Sequence, residues 1–162
     1  MPCKLQVYIA FMQNSLKLFY EAVLDVEGNE TTVCELFDIM TNLKLKLEQR
    51  LKDRFFGFET STLLQKFPPA QAAAIENYLL KFYERATAYL KKWFDFSDQN
   101  YLKHVSCLAV KSEFSFQELC GAAEALNLST QLLDMDLLYD EFSIMLPRLR
   151  EQAVKKYFIL KR

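Results

Sequence analysis

Apolar side chains return every three or four residues along most of this chain. That is the pitch of an α-helix face, and it limits the folds open to the chain more than any other feature. The clearest stretch follows Pro68 and Pro69, where Ala72, Ile75, Leu79, Phe82, Ala86, Tyr89 and Trp93 step alternately by three and four. Proline suits a first helical turn because its missing N–H would have no partner there. The spacing predicts one long helix with this stripe, Trp93 included, turned to the core. Turn-formers are scarce, 3 Gly and 4 Pro in 162 residues, which argues against a many-stranded protein. With 51% apolar residues, a chain of this length can bury a core without a metal or disulfide staple.

The same reading extends along the chain. Leu5, Tyr8, Met12, Leu16, Phe19 and Val23 form a stripe on a first helix ending near Gly28, with Val7, Phe11 and Leu18 as further apolar residues beside it. Thr32 and Glu35 match a capping box, after which Val33, Leu36, Met40, Leu43, Leu47 and Leu51 predict a second helix that stops by Gly57. Residues 57–69 read as a loop holding at most a helical turn. Residues 95–112 leave two readings open, a short helix over DFSDQNYLKH or an extended HVSCLAV segment. Ser115 and Glu118 form a second capping box, opening a short helix that should stop between Asn127 and Thr130. A last helix starts near Asp134 and carries Leu138, Phe142, Met145, Leu149 and Ala153 past Pro147, which should kink or restart it. The expectation is an all-α, irregular bundle of about five main helices. It forms one helical domain over 1–162, with sub-bundles at 1–94 and 95–162 as an option.

Net charge is −1, yet the charges are unevenly spread: residues 1–92 sum to +1, 93–145 to −7 and 148–162 to +5. No apolar run reaches the roughly 18 residues needed to cross a bilayer. The opening MPCKLQVYIAF does not match a signal peptide, so an intracellular, membrane-free protein is expected.

Reactive groups are few. His104 is the single histidine, and with Cys107 it offers the one imidazole–thiol neighbourhood in the sequence; a packed thiol is the plainer reading. Cys3, Cys34, Cys107 and Cys120 lack the spacing of a zinc or dithiol site. Asp134, Asp136, Asp140 and Glu141 could gather a cation, but acids at a helix start also cap amides and complement the dipole. Three isolated glycines cannot form a phosphate cradle. No catalytic, metal-binding or cofactor residue is therefore assigned.

Nucleic-acid contact would draw on Lys44, Lys46, Arg50, Lys52 and Arg54 of the second helix, and on Lys155, Lys156 and Lys161 of the basic tail. Glu48 and Asp53 interrupt the first group, and a solvated helix face explains such a run as well. The wide apolar faces suggest instead that a protein partner, or a second copy, covers the excess.

Three stretches resemble one family. VYIAFMQNSLKLF at 7–19, LKFYERATAYLKKWF at 80–94 and the acidic-aromatic DMDLLYDEF at 134–142 look like the helical region of hAT-family transposases and their domesticated, BED-finger-associated relatives. The resemblance implies an all-helical segment attached to an RNase H-like core, and a nuclear location. The acidic motifs of that core, the BED finger's cysteine and histidine pairs, and the family's Cys-x-x-His element are absent from this sequence, so no catalytic or metal residue carries over. The expected function is a non-catalytic, transposase-derived helical domain acting through protein contacts or as a scaffold. A nucleic-acid-binding module is the alternative.

Overall fold

The computed structural model describes residues 3–28, 31–109, 114–128 and 133–159, with side chains described through residue 148. Among them the structure is all-α. Seven helices form: α1 (Lys4–Glu27), α2 (Val33–Lys52), α3 (Phe58–Leu64), α4 (Pro69–Trp93), α5 (Tyr101–Val105), α6 (Phe116–Ala125) and α7 (Met135–Ile159). A 3₁₀ turn, Ser106–Leu108, continues α5. The expected count of about five falls short because α3 and α5 are 7 and 5 residues long, too short to display a periodic stripe.

The helix ends follow local chemistry. Ser115 Oγ accepts from Glu118 N–H at 3.3 Å while the Glu118 carboxylate accepts from Ser115 N–H at 2.7 Å, so the box at the start of α6 closes in both directions. The Glu35 carboxylate accepts from Thr32 N–H at 3.0 Å ahead of α2. Asp134 Oδ1 accepts from the amides of Asp136 and Leu137 at 3.1 and 3.2 Å and caps α7. Asn127 takes φ +54° just after α6, a left-handed position that asparagine tolerates, and Leu128 N–H donates back to Ala123 O. Pro147 lies inside α7, and the helix does not restart there.

Contacts divide the chain into two units, one of residues 1–31 and 38–96, the other of residues 32–37 and 97–162. In the first, Asn14 meets Arg50 and Glu21 meets Lys46, so α1 and α2 run antiparallel. Glu48 meets Lys91, and the Phe56 ring stacks on Tyr83, so α2 and α4 are antiparallel too. It follows that α1 and α4 are parallel. Their core is Val7, Phe11, Leu18, Leu43, Leu47, Phe56, Leu64, Phe67, Ile75, Leu79 and Tyr83. Phe11 is its aromatic centre, meeting Phe56, Phe82 and Tyr83 edge-on. Gly57 sits at φ +100° with a Cβ position only 2.8 Å from Asn14 Cγ, so the turn into α3 requires glycine for conformation and for space.

The second unit buries Phe37, Leu102, Val105, Ala109, Phe114, Ala122 and Phe142. Phe114 and Phe116 both pack on Phe142, and Phe116 also meets Tyr139 edge-on. Of the segment read two ways in the sequence, residues 101–108 are helical, with α5 capped by the Asn100 side chain accepting from Leu102 N–H, and residues 110–112 lie outside the described residues.

Two expectations about the core are corrected. On α1 the buried face is Val7, Ala10, Phe11, Ser15 and Leu18, while Leu5, Met12, Leu16 and Val23 of the predicted stripe are exposed. On α4 the stripe is buried only at its first half, and Tyr83 and Thr87 replace Tyr89 and Trp93 inside. Trp93 is 68% exposed and leans on Tyr89 under the Lys92 ammonium. Both helices are apolar on more than one side, so periodicity alone does not choose which side the neighbours cover.

Candidate functional site

Part of the apolar surface that the first unit leaves uncovered lines one groove. Leu16, Phe19, Ala22, Val23 and Val26 of α1 form one wall of a groove, and Tyr78, Phe82, Ala86, Tyr89 and Leu90 of α4 form the other. Met40 and Leu43 of α2 lie at its floor. It encloses about 1000 Å³. On each helix the residues sort by depth. Phe82 and Leu90 are partly buried against the core, whereas Tyr78 and Tyr89 on the α4 lip are 63% and 67% exposed. Leu16 and Val23 on the α1 lip are 51% and 49% exposed. The walls run from Leu16 to Val26 and from Tyr78 to Leu90, rises of roughly 15–18 Å at about 1.5 Å per residue, which is about three helical turns.

Polar groups on this surface are few. Lys81 and Arg85 rise from α4 along the same lip as the two tyrosines, one turn apart, and Glu27 stands at the end of the α1 wall. The Lys81 ammonium lies 5.7 Å from the Tyr78 ring centroid. A smaller, more polar hollow of about 490 Å³ lies near α3, lined by Phe56, Leu64, Phe67 and Ala72, with Arg54 and Glu76 at its edge. Their ion pair at 2.8 Å closes them on each other.

Of the basic residues singled out for the second helix, Arg54 falls beyond its end at φ +52°, and the others do not make one surface. At 100° per residue, Lys46 and Arg50 fall on one side of the helix and Lys44 and Lys52 on another. Most are already engaged within the first unit. Lys44 lies over the Phe96 ring at 4.4 Å, and Lys46 pairs with Glu21 at 3.7 Å. Arg50 donates to Asn14 Oδ1 at 2.6 Å, Arg54 pairs with Glu76, and Lys52 is exposed. The side chains of Lys155 and Lys156, and the whole of Lys161, lie outside the described residues.

His104 and Cys107 do not combine into a nucleophile and base. His104 Nε2 is engaged at 2.9 Å by the Asp98 carbonyl oxygen, and Cys107 Sγ faces Glu118 O at 3.7 Å. Burial pushes the Cys107 thiol above its ordinary pKa, and the negative charge of Glu118 pushes in the same direction. That is the opposite of an activated thiolate. Among the described residues no three His, Cys, Asp or Glu side chains come together as metal ligands, and no helix is long and apolar enough to cross a membrane. Acids such as Asp134 serve helix ends instead. In comparisons with family models, curated proteins and solved structures, the chain matches none.

Sequence reasoning does not find the groove as a site, although its signal is present. The predicted α1 stripe of Leu16, Phe19 and Val23, set beside a second apolar face, already holds more greasy surface than one contact can cover.

Proposed function

We propose that this chain is a non-catalytic helical interaction domain, of the transposase-derived kind its sequence resembles, which holds a helical segment of a partner protein in the α1–α4 groove. The supporting observation is the groove itself: a three-turn apolar slot between parallel helices, with large side chains presented half exposed on both lips. Helix-in-groove binding uses surfaces of this kind, reading apolar residues at i, i+3, i+4 and i+7. The reactive groups favour binding over chemistry, because the one histidine is held by a carbonyl and the thiol beside it is held protonated. A scaffold role inside the nucleus, the location the resemblance implies, fits this reading. The nucleic-acid alternative draws little support from α2, whose cations are mostly engaged by the unit's own side chains.

An uncharged amphipathic peptide of about three turns tests the proposal. It should bind the full chain with a Kd of roughly micromolar order, about −8 kcal/mol. Leu16→Asp with Val23→Asp should weaken that binding at least about tenfold, since each puts a charge into apolar contact. Both positions are half exposed, so helicity by circular dichroism should be unchanged. Binding that ignores the two aspartates would overturn the assignment to this groove.

A further inference from the structure

We infer that the occupant of the groove is an amphipathic helix from another protein bearing acidic side chains one turn apart along the edge that faces α4. This rests on the reading of the groove as a protein-binding slot and adds the chemistry of its partner. Lys17 and Lys46 pair with Glu21, Arg54 with Glu76, and Lys91 with Glu48. Lys81 and Arg85 are among the cations of the first unit without such a pair, and their place on the groove sets them apart. Both line the groove, and neither makes an ion pair among the described residues. At i and i+4 on one helix they present two positive charges about 6 Å apart along the axis, the spacing of acids at i and i+4 on an opposing helix.

The two walls differ in sign. The α1 lip is apolar at Leu16 and Val23 and ends in Glu27, so an acidic edge turned that way would meet a like charge, while the same edge turned to α4 meets two opposite ones. Flanking tyrosines favour this arrangement, because Tyr78 and Tyr89 on the same lip give apolar area to a helix whose charged edge meets Lys81 and Arg85. The slot is open along its length, which suits a rod more than a compact ligand that needs most of its surface enclosed.

Three peptides with one shared apolar face, and Glu, Gln or Lys at the two flanking positions, separate the outcomes in a fluorescence anisotropy titration of the full chain. The Glu peptide should bind about three- to tenfold more tightly than the Gln peptide, and the Lys peptide more weakly by a similar factor. Lys81→Glu with Arg85→Glu should invert that order, and raising salt to about 1 M should collapse it. Equal affinity for all three peptides would overturn the acidic partner while leaving the groove reading intact. Failure of every peptide to bind would remove the groove reading itself. Dodecanoate that binds more tightly than the Glu peptide and displaces it would assign the slot to a small amphiphile. A dimer in sedimentation velocity that competes with the Glu peptide and is dispersed by Val23→Asp would assign it to a second copy.

Discussion

Tyr83 is fully buried, its hydroxyl donating to Phe55 O at 3.1 Å and facing Ser15 Oγ, itself fully buried, at 3.4 Å. The hydroxyl joins α1, α4 and the chain after α2, with the tyrosine and the serine fully buried and Phe55 partly so. Tyr83→Phe should lower the unfolding free energy by about 1–3 kcal/mol, because Ser15 and the Phe55 carbonyl lose their shared partner in the interior; urea denaturation reads this directly. Thr60 and Thr87 are the contrasting case. Both are buried, and their hydroxyls have no hydrogen-bond partner among the described residues. Thr60→Val and Thr87→Val keep the branched shape and remove an uncompensated polar atom, so each should be neutral or stabilising by up to about 1 kcal/mol in the same assay. A loss of stability in either would mean that its hydroxyl is satisfied after all.

At the scale of the element, α6 depends on a reciprocal cap that the sequence displays openly as Ser115 and Glu118. Hydrogen bonds from the Ser115 amide and hydroxyl hold the Glu118 carboxyl below the ordinary glutamate pKa. A carboxyl whose pKa is lower in the folded state than in the unfolded state takes up protons on unfolding. Its contribution is therefore complete above the unfolded value, about 4.3, and is lost as pH falls through the lower folded one. Acid titration followed by circular dichroism should show α6 contributing to helix loss on that limb, and Glu118→Gln should flatten the contribution. Asp98, lowered chiefly by its hydrogen bond from the Lys103 ammonium, acts in the same direction beside α5. The caps of α6 and α7 and the stop of α6 are legible in the sequence because one or two neighbouring residues decide them. The phase of α1 is not. Val7, Phe11 and Leu18 lie beside the most regular stripe, and they form the core because α2, α3 and α4 come in on that side. Trp93 follows the same logic in reverse, continuing a regular helical spacing on a side of α4 that its neighbours leave uncovered.

At the scale of the whole molecule, the basic residues of α2 are spread around a helix and largely matched by partners. Charge reversal at Lys46 and Arg54 should therefore leave affinity for a DNA duplex within about twofold. A phosphate clamp would instead lose roughly tenfold, with a shallower dependence on salt. A filter-binding series over increasing salt decides between them.

By itself the sequence determined the helical class, most helix boundaries, and the poverty of reactive groups, because these depend on local spacing and on which residue types are present at all. It also contained the excess of apolar surface, without a location. Only the tertiary structure decided where that excess goes, since the face of an apolar helix that becomes core and the face that becomes groove are set by which helices reach it. Met12 and Leu16 belong to a greasy stripe as regular as any in the chain, yet they stay at the surface while Phe11 beside them is buried. Lys81 and Arg85 acquire their meaning in the same way: in sequence they are two charges on a polar flank, and in the fold they edge a slot whose other wall is α1.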